Sequence, residues 1–143
     1  MQHRWAALAL VLALCAATPA SVGAQQLGSQ PRGRKLGTLG QNYPNPFKPD
    51  TFIPFTINDC SGTGAQHVVT LRIYNVLAQL VSIPQLQGAP RLLMNMKLSC
   101  GEYLGYWDGK VRGGGGRSAA SGVYLYELVV DGQRTSRRMF VSH

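Results

Sequence analysis

The sequence is poor in the residues from which catalytic and metal sites are built. It has six acidic residues and three histidines among 143 residues. The histidines, His3, His67 and His143, do not have the short spacing of a metal-binding motif. No segment places a nucleophile beside a base, as nucleophilic catalysis requires. The sequence therefore predicts a protein that is not an enzyme and that has no catalytic residue, metal site, cofactor or small-molecule substrate.

Long apolar runs are absent except near the N-terminus. The run Trp5 to Ala17 has 13 residues, fewer than the roughly 20 that span a bilayer. Pro19 interrupts the next segment, and Val22-Gly23-Ala24 provides small residues for cleavage before residue 25. We predict that residues 1–24 form a signal peptide. The alternative is an uncleaved helical membrane anchor.

Acidic residues are also far outnumbered by basic ones. The chain has 14 Lys and Arg residues against six Asp and Glu residues, a formal net charge of +8. Because export would separate the protein from the nucleic acid of the cell, we predict no nucleic-acid partner. The charge favours envelope or membrane-complex proteins with an acidic surface, or contact with an anionic membrane surface. Simple solubility is the alternative explanation. We predict a location in the periplasm or at the outer surface, with tethering to the membrane if the leader is uncleaved.

The chain after the leader consists of a tether and then a series of short strands. Residues 25–42 are rich in Gly and Gln and basic, without hydrophobic periodicity, which predicts a flexible basic tether. In two of the later runs, apolar residues occupy every second position, the period of a half-buried strand. These residues are Ile53, Phe55, Ile57, Val69, Leu71 and Ile73.

Turn residues and prolines delimit these strands. Pro54 has no N–H to donate to a neighbouring strand, which predicts an edge position or a bulge. Asp131-Gly132 between two β-type runs predicts a type I′ hairpin. No segment after the leader shows sustained helical periodicity. About seven short strands in about 100 residues indicate an all-β sandwich.

Four motifs occur in an order found in a known family. They are NYPNPFKP before a strand, VTLRIYNVL in the middle, WDGK, and finally ASGVYLYELVVDG followed by RRMF. In this order they resemble the immunoglobulin-like domain of flagellar hook-capping proteins and of the C-terminal sorting domains of type IX secretion cargo. The likeness spans about residues 41 to 143. It implies an immunoglobulin-like antiparallel β-sandwich of about seven strands over residues 43–143, and a sorting signal as one function.

Within this likeness, the proline-rich motif is predicted to have a structural role. Pro44, Pro46 and Pro49 would hold the chain extended and prevent a partner strand from pairing there. Asn45 would bond its own backbone ahead of Pro46. Phe47 would fill the end of the core.

The later motifs supply a turn and further core residues. Asp108 and Gly109 of the WDGK motif would form a turn, in which the carboxylate bonds nearby backbone amides. Trp107 would anchor the core. We predict that the core contains Phe47, Phe55, Leu71, Ile73, Trp107, Tyr124 and Tyr126.

Two cysteines, Cys60 and Cys100, remain if the leader is cleaved. In an exported chain such a pair predicts a disulfide. Antiparallel strands in the implied sandwich would bring both cysteines to the same end of the domain. Two buried free thiols are the alternative.

Three segments depart from the family pattern or exaggerate it. They are an insertion from Pro84 to Lys97, a basic loop from Lys110 to Arg117, and the arginine-rich last strand. We predict that they build one partner-binding surface, on which arginines pair with carboxylates. The predicted contacts are Leu93, Met94, Lys110, Arg112, Arg117, Arg134, Arg137 and Arg138. The function favoured is an exported, non-enzymatic module that docks on envelope proteins as an accessory or scaffold subunit. The alternative is a type IX sorting domain.

Overall fold

The computed structural model describes residues 33–143. The predicted signal or anchor, residues 1–24, and residues 25–32 of the predicted tether lie outside the described residues. The predicted tether reaches residue 42, but Gly37–Leu39 form a strand and Leu39 is buried in the core, so that bound is wrong. Within residues 33–143 there is no α-helix, and so none long and apolar enough to cross a membrane. The nine strands are β1 (Gly37–Leu39), β2 (Thr51–Ile57), β3 (Gln66–Tyr74), β4 (Leu80–Ser82), β5 (Gln85–Leu86), β6 (Met96–Ser99), β7 (Gly101–Trp107), β8 (Gly122–Val130) and β9 (Gln133–Val141).

The strands form two antiparallel sheets. The four-stranded sheet has the order β1-β2-β7-β5, and the five-stranded sheet has the order β4-β3-β8-β9. The remaining strand, β6, pairs with the first half of β3. Strand β4 pairs with the last residues of β3, on the same edge. This arrangement is consistent with the predicted β-sandwich. The strands number nine where about seven were expected, and three of them, β1, β4 and β5, have three residues or fewer.

One core is formed by side chains from both sheets. The odd-numbered residues of β2 are buried and the even-numbered ones are partly exposed, as the alternation predicted. The predicted core residues are confirmed, since each has at most 8% of its surface exposed. These residues are Phe47, Phe55, Leu71, Ile73, Trp107, Tyr124 and Tyr126.

Pro54 lies in a central strand, so the predicted edge position is wrong. The predicted alternative, a bulge, is present beside it, since the pairing shifts by one residue between Leu39 opposite Phe55 and Tyr43 opposite Phe52. Strand β2 pairs with β7 in continuous register on one side and with β1 on the other. The Phe52 N–H bonds the Tyr43 carbonyl, so the even-numbered positions of β2 direct their backbone groups away from β7. The Pro54 nitrogen therefore faces the stretch just after β1 ends, and its carbonyl accepts from Gly40 at 2.8 Å. The missing donor is tolerated because the ladder to β7 does not need it.

The proline-rich stretch is bent, so the extended conformation predicted for its three prolines is wrong. Pro44 and Pro46 lie in a bend over residues 44–46, and Pro49 lies in a second bend over residues 48–49. The Pro44 carbonyl accepts from Asn42 Nδ2 at 3.2 Å and from Thr51 Oγ1 at 3.1 Å. The physical reason for the bends is that the chain crosses here from the four-stranded sheet to the five-stranded sheet, which a straight segment could not do.

Between the two bends, the chain pairs with the last strand. Phe47 forms an isolated parallel bridge to Val141, so the prolines do not keep a partner strand away as predicted. Phe47 is 1% exposed and fills the end of the core, as predicted. Asn45 does not bond its own backbone. Its Oδ1 accepts from the Phe140 N–H at 2.9 Å, because the stretch runs beside the free edge of the last strand.

The hairpin between the last two strands has the predicted geometry. Val130 pairs with Gln133 across a two-residue turn. Both turn residues, Asp131 and Gly132, have positive φ, at 46° and 84°. Positive φ at both central positions is what a type I′ turn requires.

Candidate functional site

The predicted contact residues lie on two surfaces, not on one. The insertion and the basic loop do adjoin, since residues of both line one cavity. The loop is also tied to β4, where the Arg112 N–H donates to the Val81 carbonyl at 2.8 Å. The cavity has a volume of about 220 Å³ and is lined by Gln85 and Leu92 on one side and Lys110 on the other. The arginine-rich strand β9 is at the far edge of the five-stranded sheet, with β3 and β8 between it and β4. The single surface predicted from the sequence is therefore wrong.

Leu93 is not available to a partner, although the sequence predicted it as a contact. It is fully buried, and its carbonyl accepts from the Leu71 N–H at 2.9 Å. The reason is that the insertion folds back onto β3, so this leucine completes the core. The next residue, Met94, is 46% exposed and remains accessible.

The basic loop is held by its own backbone hydrogen bonds. Val111 donates to the Arg117 carbonyl at 2.9 Å, and Ala119 donates to the Gly109 carbonyl at 2.7 Å. The loop begins at the predicted turn, where Asp108 Oδ1 accepts from the Lys110 N–H at 3.0 Å. Gly109 has φ +74°, and a Cβ there would lie 2.1 Å from the Pro49 carbonyl oxygen. The loop therefore presents its exposed basic side chains, Lys110, Arg112 and Arg117, from a defined backbone.

A second surface is the outer face of β8 and β9, which combines arginine with apolar side chains. We call Val123, Leu125, Arg134, Arg138 and Phe140 the basic face. Phe140 is 47% exposed and pairs across the strands with Val123, which is 36% exposed. Arg138 pairs with Leu125 in the same register. Exposed apolar side chains beside arginines are the combination found where proteins bind one another.

Glu127 lies among the arginines of this sheet and is half-buried. Its carboxylate is 3.7 Å from Arg72 Nη1 on β3 and 3.7 Å from Arg134 Nη1 on β9. Arg72 and Arg134 therefore share one carboxylate, and Arg138 has no ion pair among the described residues. The surface keeps a positive excess that an acidic partner would neutralise.

Arg137, predicted to bind a partner, is exposed and also has a structural contact. Its Nε donates to the Leu39 carbonyl at 2.7 Å and so ties β9 to β1. The difference from Arg138 follows from the period of a strand, because neighbouring residues point to opposite faces. The basic face therefore contains two of the three predicted arginines of the last strand.

A cluster that the sequence did not predict surrounds His67. Its Nδ1 is 2.7 Å from Asp131 Oδ2, and its Nε2 is 3.1 Å from the Asp59 carbonyl oxygen. Both ring nitrogens face acceptors, so the imidazolium form donates from both. The hydrogen bond to Asp131 raises the pKa of His67, and the same bond lowers the pKa of Asp131. The residues are 64 positions apart in sequence, so no local motif could reveal the cluster.

This cluster pairs His67 with Asp131 and is not arranged to hold a metal ion. Among residues 33–143, no group of three or more His, Cys, Asp or Glu side chains is placed to hold a metal ion. The remaining oxygen of Asp131, Oδ1, accepts from the Val68 N–H at 2.8 Å. The carboxylate is therefore fully engaged in holding the hairpin turn against β3.

Comparisons with protein-family models, with curated proteins and with solved structures find no match to this chain.

Proposed function

We propose that this protein is an exported, non-enzymatic binding module that docks on an envelope protein as an accessory or scaffold subunit. The observation that carries the proposal is the basic face, an exposed patch of arginine and apolar side chains on a rigid sheet. Phe140 and Val123 supply apolar area, while Arg134 and Arg138 supply charge. The partner that fits is a protein with an acidic surface.

We also propose that the domain is immunoglobulin-like. The support is the path of its first segment, which is shared between the two sheets. Gly37–Leu39 pairs with β2 in the four-stranded sheet, and Phe47 then bridges Val141 in parallel in the five-stranded sheet. This path agrees with the family resemblance of the four sequence motifs.

The chemistry of the basic face assigns different tasks to its members. An arginine guanidinium can bond a carboxylate through two parallel N–H groups, which gives orientation as well as attraction. Exposed charges chiefly set the rate of association and its salt dependence. Phe140 is the aromatic anchor that would set the lifetime of the complex. A stable complex should bury about 1,000 Å² or more in total, which requires the strands β8 and β9 together.

The proposal is tested by charge reversal on the basic face with a matched control on the basic loop. The test variant is Arg134→Glu with Arg138→Glu, and the control is Arg112→Glu with Arg117→Glu. Each tagged protein is expressed in its native cell and recovered from membranes in mild detergent across a salt series. We expect the first variant to lose its co-purifying partner by at least about tenfold at low salt, while the control retains it.

A third variant separates apolar contact from charge. Phe140→Ser should shorten the lifetime of the purified complex, with little effect on the salt dependence of its association rate. Undiminished partner recovery by the Arg134/Arg138 variant at low salt would contradict the proposal. Mature protein found beyond the outer membrane, instead of in the envelope, would favour the sorting-domain alternative.

A further inference from the structure

Strand β7 has an unpaired edge on the side opposite β2. The Phe52 N–H and carbonyl both bond Tyr43, so the even-numbered backbone groups of β2 face away from β7 and the odd-numbered ones pair with it. In β7, the backbone N–H and C=O groups of Tyr103 and Gly105 consequently face β2. The backbone groups of Glu102 face the opposite side, together with those of residues 104 and 106.

Strand β5 covers only part of that side. Gln85 pairs with Tyr106, and the Gln87 N–H donates to the Leu104 carbonyl at 2.8 Å. The chain then turns away at Gly88, which has φ +82°. Among the described residues, the Leu104 N–H and both backbone groups of Glu102 have no hydrogen-bond partner. These three backbone groups, which point away from β2, are thus free to pair with an added strand.

Two other edge stretches, on β1 and at the end of β9, are covered. Strand β1 is held against β9 by Arg137, and the Leu36 N–H bonds Gln133 Oε1 at 3.1 Å. The end of β9 is covered by the bent stretch, where Asn45 and Phe47 bond both backbone groups of Phe140. The open stretch of β7 therefore differs from edges that the fold protects.

A groove of about 700 Å³ runs beside the open stretch on the outer face of the sheet. Pro54 and Leu104 form an apolar part of its lining, and Gln87 and Thr56 add polar groups. Glu102 is exposed at its edge, and no basic residue lines it. The groove is suited to an apolar side chain, and Glu102 to a basic one.

We propose that β7 binds an extended segment of a partner protein as an additional antiparallel strand along residues 102–104. The segment would continue the line of β5, accept from the Leu104 and Glu102 N–H groups, and donate to the Glu102 carbonyl. Main-chain hydrogen bonds give such strand addition its affinity, and alternate side chains give its specificity. The segment should direct an apolar residue into the groove and a basic residue, two positions away on the same face, towards Glu102. A second copy of β7 fits poorly, because it would bring two Glu102 carboxylates onto one short stretch.

This site lies on the four-stranded sheet and does not depend on the basic face. The test uses the full chain, labelled with nitrogen-15, and a capped valine-rich hexapeptide whose single lysine lies two positions from a valine on the same face. Amide hydrogen exchange is measured with and without peptide. We expect exchange at Glu102 and Leu104 to slow by at least about tenfold at saturation, with Tyr103 and Gly105 unchanged because they already pair with β2.

Two controls test the backbone and the charge separately. A peptide N-methylated at the amide that would face the Glu102 carbonyl should bind at least about tenfold more weakly. Glu102→Lys should weaken binding of the unmodified peptide similarly, whereas Asp108→Lys, the same charge change beyond the other end of β7, should not.

The proposal is overturned if about 1 mM peptide leaves exchange at Glu102 and Leu104 unchanged, or if the N-methylated peptide binds equally well. It is also overturned if these amides exchange as slowly as Tyr103 in the free protein. If exchange at these amides in the free protein is slow and depends on protein concentration, the occupant is a second copy. If it is slow at every protein concentration, the occupant is the chain's own N-terminal residues. Neither outcome concerns the basic face, so the proposed function is tested independently of this proposal.

Discussion

Trp107 joins the bent proline-rich stretch to the core. It is 2% exposed, and its ring meets Phe47 edge-on at a centroid distance of 5.2 Å and Tyr124 at 5.9 Å. Its Nε1–H donates to the Lys110 carbonyl at 3.0 Å, so the indole is satisfied although it is buried. One side chain thus fixes both the first segment and the start of the basic loop.

We predict that Trp107→Ala lowers the free energy of unfolding by about 3 to 5 kcal/mol, because a large buried aromatic is replaced by a cavity. The measurement is urea denaturation followed by far-ultraviolet circular dichroism. Trp107→Phe should lose less, since it keeps the aromatic contacts with Phe47 and Tyr124. Tyr43→Ala is the surface control, because Tyr43 is 49% exposed. A cooperative Trp107→Ala transition with an unchanged midpoint would contradict the assignment.

At the scale of elements, His67 connects three parts of the chain. It belongs to β3 and bonds Asp131 in the β8–β9 turn and the backbone of Asp59 in the loop after β2. Asp59 is in turn 3.3 Å from Arg34 and bonds Ser61. His67, when protonated, therefore holds a hairpin turn and a loop in place together.

We predict that this cluster makes stability depend on pH. The pKa of His67 is raised above its ordinary 6.5, chiefly by the bond to Asp131, so its contribution is complete below pH 6.5 and is lost as pH rises through the raised value. The pKa of Asp131 is lowered from 3.8, chiefly by His67, so its contribution is lost as pH falls through the lowered value. Urea denaturation between about pH 5 and about pH 9 should show falling stability of the wild type.

The matched control for the pH prediction is His67→Gln, which cannot titrate. We expect it to be less stable than the wild type at about pH 5 and to approach the wild type at about pH 9. Carbon and nitrogen chemical shifts of the His67 ring would report the imidazolium directly. Parallel stability profiles for the two proteins across this range would show that the cluster contributes no pH dependence.

At the scale of the whole molecule, a disulfide joins the ends of the two sheets. Cys60 follows β2 of the four-stranded sheet, and Cys100 lies between β6 of the five-stranded sheet and β7. The two cysteines are bonded, with a Cα–Cα distance of 5.1 Å and a sequence separation of 40. The bridge therefore closes the part of the chain that contains β3 to β6.

We predict that replacing both cysteines by serine lowers the free energy of unfolding by up to about 4 kcal/mol, the chain-entropy value for a loop of this length. The measurement is urea denaturation of the double variant beside the wild type with and without reductant. The reduced wild type should resemble the variant. Two freely alkylated thiols at Cys60 and Cys100 in unreduced protein from the cell envelope would rule out the bridge.

The candidate surfaces were less predictable from sequence than the strands. Leu93 and Met94 are neighbours of similar character in the sequence, yet one completes the core and the other is exposed. Arg137 and Arg138 likewise differ only in the face to which the strand directs them. The three arginines of β9 show charge in the sequence, but only the pairing of β9 with β8 and its contact with β1 decide which of them lie on the outer face and which one bonds β1.

The sequence by itself determined the all-β class, the period of the main strands, the type I′ turn and the main core aromatics. These features depend on neighbouring residues, because alternation and turn chemistry act within a few positions. Only the tertiary structure decided that Pro44 lies in a bend, that Pro54 lies in a central strand, that His67 meets Asp131, and that β7 has an open edge. Each of these depends on which distant strand pairs with which, and that is decided by the packing of both sheets against one core.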